Sequence, residues 1–282
     1  MKLLKSLAFL SMTGGLWMSS ALAEGMNMQG SVMKGSMQGG SAPMGARSSD
    51  YSDGYTYRHM KGWEETDTTR IDKVLADQTE YRVNNHGNNS LRYDTQAWRG
   101  TDYHKLWLKL EGSDELARRT GNLELQVLDS QSIDSFWEFQ IGVRYDRVYS
   151  PSITHQRLLA VIGFQGLAPY WFDVEPALFI SDKGDVSARV RATYDLLLTQ
   201  QLILRPRLEI NAAMRGSPQF DVGQGLNDVQ LGLRLRYEIT RKFAPYIGIA
   251  KQQQWGATAN LLRAAGGSSN NISLIAGLRW WL

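Results

Sequence analysis

The chain has 282 residues, a formal charge of +3 and no cysteine, with nine Trp and twelve Tyr. Without cysteine there can be no disulfide staple and no thiolate metal site. Basic and acidic residues are interspersed with no basic run, so nothing marks a nucleic-acid partner.

Residues 1–23 read as a secretory signal. Lys2 and Lys5 form its positive start, Leu7 to Trp17 its apolar stretch, and Ala21-Leu22-Ala23 a small-residue cleavage site. The apolar stretch is shorter than the roughly 20 residues a spanning helix needs, so cleavage before Glu24 is expected rather than anchoring. Loss of Lys2 and Lys5 lowers the formal charge from +3 to +1.

Residues 24–75 form a leader. Up to about Asp53 it is built from Gly, Ser, Gln and Met, with Val32 as the one branched apolar residue. Such a composition buries too little surface to offset its ordering entropy, which predicts a disordered tail. Tyr55, Tyr57, His59, Met60 and Trp63 make the following stretch transitional. A short helix or plug-like element is expected near Asp67–Leu75.

From residue 76 to residue 282 the pattern changes to alternation with period two. In Val229–Ile239 every odd position is apolar or aromatic and every even one is polar, charged or Gly. A helix would scatter those leucines around its circumference, whereas a strand separates the two sets. Val186–Leu196 and Leu202–Ile210 read the same way, as do Leu106–Leu110, Leu123–Val127, Trp137–Tyr145 and Ile272–Leu282 in weaker form. Polar or Gly-rich turns separate the runs, at 84–89, 182–185, 199–201, 216–227, 240–242 and 255–271. The expected fold is all-β: an antiparallel transmembrane barrel of about twelve strands.

Alternation alone does not say which face meets water. Two features point to lipid outside and charge inside. Aromatic residues lie near strand ends (Tyr145, Tyr149, Tyr170, Trp171, Tyr194, Tyr237, Phe243, Tyr246, Trp280), as in an interfacial girdle. The final run Gly277–Leu282, with Trp280 and Leu282 at alternate positions, fits a barrel assembly signal although Leu replaces the usual Phe or Trp. On this register Asp173, Glu175, Arg189, Arg191, Asp195, Arg205, Arg207, Glu209, Arg234, Arg236 and Glu238 point into the lumen, with Glu138, Arg144 and Asp146. Neighbouring strands are then expected to oppose basic to acidic side chains. Such ions either pair and fill the barrel or line a selective polar pathway.

The leader carries Met26, Met28, Met33, Met37 and Met44, followed by His59 and Met60. A thioether is a soft, neutral ligand that suits Cu(I), and flexible spacers let several sulfurs converge on one ion. The residues therefore predict a copper site, against sacrificial oxidation or chance as the plain alternatives.

At the level of whole segments the chain resembles the copper resistance protein B family. The stretches that carry the likeness are DQTEYRVNNHGNNSLRYDTQAWRGTDYHKLWLKLEG, FDVEPALFISDKGDVSARVRATYDLLLTQQLILRPRLEINAA, GLNDVQLGLRLRYEITRKFAPYIGI and the final GLRWWL. The resemblance implies an outer-membrane protein of copper tolerance, with its leader in the periplasm. It also implies copper bound through that leader, and periplasmic copper proteins such as a multicopper oxidase as partners. The family's leader interleaves Met with His and Asp, and here those His and Asp residues are missing, which weakens Cu(II) capture but not Cu(I) capture.

Two rival classes remain. An enzyme is not expected, because none of the four histidines sits beside a nucleophile signature, and His104 near Asp102 reads as a surface contact. Asp173 and Glu175 could pair as catalytic carboxylates, but facing arginines favour a salt-bridge ladder. The second rival is a passive porin or structural barrel without a specific metal role.

Overall fold

The computed structural model describes residues 69–87 and 89–282. Thirteen antiparallel strand segments form one sheet: β1 Ile71–Asn84, β2 Ser90–Gly100, β3 His104–Glu115, β4 Thr120–Asp134, β5 Trp137–Tyr149, β6 Thr154–Ala168, β7 Phe172–Ser181, β8 Val186–Thr193, β9 Leu196–Leu197, β10 Leu202–Ala213, β11 Gly225–Tyr237, β12 Phe243–Gln254 and β13 Asn270–Trp281. Segments β8 and β9 share the partner β10, so they are two pieces of one crossing. Pairing of β1 with β13 closes the circle, giving the twelve-stranded barrel that the alternation predicts. Closure matters physically, because it leaves no sheet edge whose N–H and C=O groups would lack partners in lipid.

The outer wall is apolar. Leu108, Val143, Leu178, Leu233, Ile247 and Leu274 are exposed, and their alternate neighbours are buried inside. A soluble barrel of this size would have the reverse pattern. Trp171, Tyr237, Phe243 and Trp280 lie exposed toward strand ends, as the girdle reading expects. Tyr246 does not. It faces inward, 5% exposed, and its hydroxyl donates to Glu80 Oε1 at 3.1 Å. Its position next to a strand start resembled a girdle residue, but its parity puts it with the luminal set.

Two ends can be told apart. Turns after β2, β4, β6, β9 and β11 are short and lie at the end where β1 begins and β13 finishes. The opposite end carries the segment between β10 and β11 and that between β12 and β13, where α1 (Gly256–Ala264) sits. Gly223 N–H and Asn227 Nδ2 both donate to the buried Thr258 hydroxyl, which ties these two long connections together. Gly184 closes the tight β7–β8 turn at φ +78°, a backbone conformation open to glycine at little cost. The expected helix at Asp67–Leu75 is overturned for its described part, since Ile71–Leu75 already belong to β1, paired to β2 through Ile71↔Gly100.

Gly277 faces Tyr246 across β12–β13, and a Cβ placed there would lie 2.6 Å from Cζ of that ring. The bare glycine lets the ring lie flat against the wall and reach Glu80. Gly277→Ala is expected to displace Tyr246 and to destabilise the barrel by about 1–3 kcal/mol, the usual cost of overpacking. Denaturant unfolding of the folded barrel in vesicles reads this, and an unchanged midpoint would mean that the ring can move aside freely.

Candidate functional site

Inside the barrel the register produces a row of like charges that no strand-by-strand pairing would favour. Asp94 faces Glu111, Glu111 faces Glu124, and Glu124 faces Asp146 across β2, β3, β4 and β5. Directly opposed like charges repel, so the neutralising partners must come from elsewhere. For Asp94, Glu111 and Glu124 they come across the lumen, while Asp146 is met by Arg144 and by Arg157 of the next strand. Arg189 Nη1 and Nη2 donate to both oxygens of Glu124 at 2.9 and 2.8 Å. Arg191 Nη2 reaches both Glu111 oxygens at 2.7 Å, and Arg207 reaches Asp94 Oδ2 at 3.2 Å. Glu209 lies among Arg92, Arg189, Arg191 and Arg207. Arg144 spans the row itself, pairing with Glu124 and with Asp146.

Adjacent-strand pairing therefore holds in part only. Glu175 opposes Arg191 and Arg191 opposes Glu209, as expected. Arg205, in contrast, opposes Arg234. Arg205 is neutralised by Asp77 at 2.6 Å, and Arg234 by Glu80 at 2.6 Å. Arg236 meets Asp195 and Glu238 at 3.1 and 3.3 Å. Asp173 departs from the expected ladder: among the described residues no ion pair within 4 Å involves it, and it lines the cavity at the short-turn end instead. Asp77, Glu80, Asp94, Glu111 and Lys109 were missed as belt members. Their even or odd parity was available, but β1 carries a register shift between Ala76 and Gln78 that hides the phase of Asp77.

Apolar side chains complete the filling. Trp107, Leu128, Leu159, Val161 and Phe179 form a buried luminal cluster, with Trp98 stacked on Trp107 at 4.5 Å. Phe179 lies under the guanidinium carbon of Arg144 at 4.3 Å and that of Arg189 at 5.4 Å. Such cation–π contacts stabilise guanidinium groups that are partly withdrawn from water.

The belt divides the lumen. A cavity of about 790 Å³ opens toward the long-loop end, and one of about 620 Å³ toward the short-turn end. A third cavity of about 280 Å³ reaches the belt residues Arg92, Glu111, Glu124, Arg189 and Glu209, and two smaller spaces measure about 10 and 20 Å³, room for roughly one water each.

Metal-ligating residues are sparse in the barrel. Among the described residues no group of three or more His, Asp or Glu side chains is arranged to hold a metal ion. The barrel's one thioether is Met214, exposed at the end of β10. His104 pairs through Nε2 with Asp129 Oδ1 of the adjacent strand β4 at 3.1 Å, and both side chains are exposed. His155 sits against Phe220, with ring centroids 6.2 Å apart. Met26, Met28, Met33, Met37, Met44, His59 and Met60 lie outside the described residues.

Comparison with known proteins adds the following. A family profile described as Copper resistance protein B precursor matches residues 70–282. Copper resistance protein B of Escherichia coli is 38% identical over 208 residues, covering 74% of this chain and 68% of that protein. The copper resistance protein B homolog of Pseudomonas syringae pv. tomato is 36% identical over 225 residues, covering 80% of this chain and 74% of that protein. Among solved structures, the KdgM porin superposes with a TM-score of 0.45 at 9% identity, over 74% of this chain and 98% of that one.

Proposed function

We propose that this chain, which belongs to the copper resistance protein B family, serves copper resistance by holding Cu(I) on its leader while the barrel fixes it in the outer membrane. The observation that carries this reading is the segregation of donor types. Soft thioethers crowd the leader at Met26, Met28, Met33, Met37 and Met44, with His59 and Met60 behind them, whereas the barrel has one methionine, Met214. Cu(I) prefers sulfur and imidazole, so it partitions to the leader. Luminal carboxylates are hard donors, and most of them are already engaged by arginine or lysine.

In this reading the short-turn end of the barrel faces the periplasm, as is usual for barrels of this type, and the leader meets copper there. Periplasmic copper proteins, a multicopper oxidase among them, are the partners that would exchange the ion. Copper is cargo here rather than a resident cofactor. Sequestration is favoured over export through the lumen, because salt-bridged side chains cross the barrel between its two end cavities. Export would require the belt to part.

The test is a Cu(I) competition titration on the purified mature protein and on a variant with the five leader methionines changed to serine. At least about a tenfold weaker affinity is expected in the variant, equivalent to about 1.4 kcal/mol. Equal affinity would remove the leader as the site. Planar-bilayer recordings of the wild type provide the second arm: the closed belt predicts no steady conductance, and an open channel would return the passive-porin reading.

A further inference from the structure

The outer wall carries few charges, and its two ends treat them differently. At the short-turn end each basic side chain on the wall has a carboxylate beside it: Arg99 meets Asp72 at 3.3 Å, and His104 meets Asp129 at 3.1 Å. At the long-loop end Arg147 and Lys251 stand on the wall alone, since no carboxylate lies within 4 Å of either among the described residues. Both keep outward parity. Arg147 follows the exposed Ile141 and Val143 along β5, and Lys251 follows the exposed Ile247 and Ile249 along β12. Asp114, the wall carboxylate at this end, accepts from the Tyr149 hydroxyl instead.

Around Arg147 the wall is organised. Tyr149 lies across Gly121, where a Cβ would come 2.5 Å from its hydroxyl, and the Arg147 guanidinium carbon stands 5.8 Å from the centre of that ring. On its other side Arg147 is directly opposite Gln156 of β6. The Tyr145 hydroxyl donates to Gln156 Oε1 at 2.9 Å. With its oxygen engaged, Gln156 offers its amide N–H groups, which can only donate. Guanidinium and amide donors therefore stand side by side, above the exposed apolar Val143 and Leu158. Phosphate oxygens match such a set, and an arginine binds them in bidentate fashion. Near the rim of a membrane barrel the long stem of arginine lets its head reach the headgroup layer, where phosphate is found.

We infer that Arg147 and Gln156 form a binding site for the phosphate of a lipid headgroup in the leaflet at the long-loop end. The inference rests on the outer-membrane placement and orientation proposed above, and it is separate from the leader's copper chemistry. Inorganic phosphate offers the same oxygens, but it lacks the acyl chains that Val143 and Leu158 would cover, so the wall favours the lipid. Lys251, between the exposed Leu231 and Ile272 in register, repeats the arrangement of a lone base on apolar wall at the same end. A barrel that neutralises its own bases at one end and leaves them to the membrane at the other fits a bilayer with more phosphate in one leaflet.

The probe is lipid A carrying both phosphates, set against the same lipid with its phosphates removed. The full mature protein in nonionic detergent is titrated with each, and bound lipid is read by native mass spectrometry. Lys251→Gln is present in every protein compared, so that one lone wall base is read at a time. The phosphorylated lipid is expected to bind about tenfold more tightly or better. Arg147→Gln should lose about tenfold of that affinity, the scale of one charge-assisted hydrogen bond, and none for the phosphate-free lipid. Gln156→Leu should lose about threefold, the scale of a neutral bond. Arg99→Gln removes a base from the opposite end and should change nothing, and excess inorganic phosphate should not displace the lipid. Folding of each variant is read independently from heat-modifiable gel migration. Equal affinity for the two lipids, unchanged affinity in Arg147→Gln, an equal loss in Arg99→Gln, or displacement by inorganic phosphate overturns the site. Tight binding of both lipids alike would remove the phosphate contact and keep the membrane placement, whereas binding of neither would count against both.

Discussion

Replacing Glu80 by alanine is expected to cost about 3–5 kcal/mol of barrel stability, the range for breaking a buried pair while leaving its partner charged. Glu80 is 1% exposed and carries three partners at once. Arg82 Nη2 lies at 2.7 Å, Arg234 Nε at 2.6 Å and the Tyr246 hydroxyl at 3.1 Å. Alanine would strand two guanidiniums in a lumen where little water can reach them. A change of Glu80 together with both arginines to apolar residues should cost much less, since buried ionic groups replaced as a set are often neutral. The measurement is denaturant unfolding in lipid vesicles, followed by tryptophan fluorescence. A loss under about 1 kcal/mol for Glu80→Ala would mean that the belt is hydrated and that its ion pairs behave like surface pairs.

A second large effect is expected on the opposite face. Ile247 lies near the middle of β12, is 64% exposed, and stands between Leu235 and Ala276 in register. If this wall meets lipid, Ile247→Arg should destabilise the folded barrel by about 2–4 kcal/mol, whereas Ile239→Arg, beyond the end of β11, should cost about 0–1 kcal/mol. The difference between the two positions is the informative quantity, because it depends on depth in the bilayer and cancels general effects of arginine. Equal small costs at both sites would argue for a water-facing outer surface and would remove the membrane reading with it. Unlike the Glu80 change, this one leaves every luminal contact in place, so the two results are independent.

Both predictions draw on information of different kinds. Which residues face outward was legible in the sequence, because a strand has a strict period of two and the apolar phase persists from one run to the next. The same phase put Arg234, Arg236, Glu209 and Arg191 in the lumen, where they are found buried. It failed at Tyr246, where a residue type common at interfaces overrode its own parity, and near Asp77, where the shift in β1 breaks the phase. The proposed copper ligands were legible only as composition: seven soft or imidazole donors in the leader, against four in the longer barrel (His86, His104, His155 and Met214).

Partnerships across the lumen were not legible. A sequence fixes the parity of a strand, and short turns make consecutive strands neighbours, so Glu175 opposite Arg191 could be anticipated. Nothing in the spacing of residues says that Arg189 of β8 will meet Glu124 of β4, 65 positions away in the chain. That contact depends on how many strands close the cylinder and how far each is staggered, which together set its diameter and who stands opposite whom. Hence the amino-acid order by itself determined a twelve-crossing, oil-outside, charge-inside wall and a thioether-rich leader. Only the closed tertiary structure decided that four carboxylates lie side by side on one wall and that arginines from the far wall answer three of them. The reason is that local periodicity is a property of one strand, whereas charge neutralisation inside a cylinder is a property of its circumference.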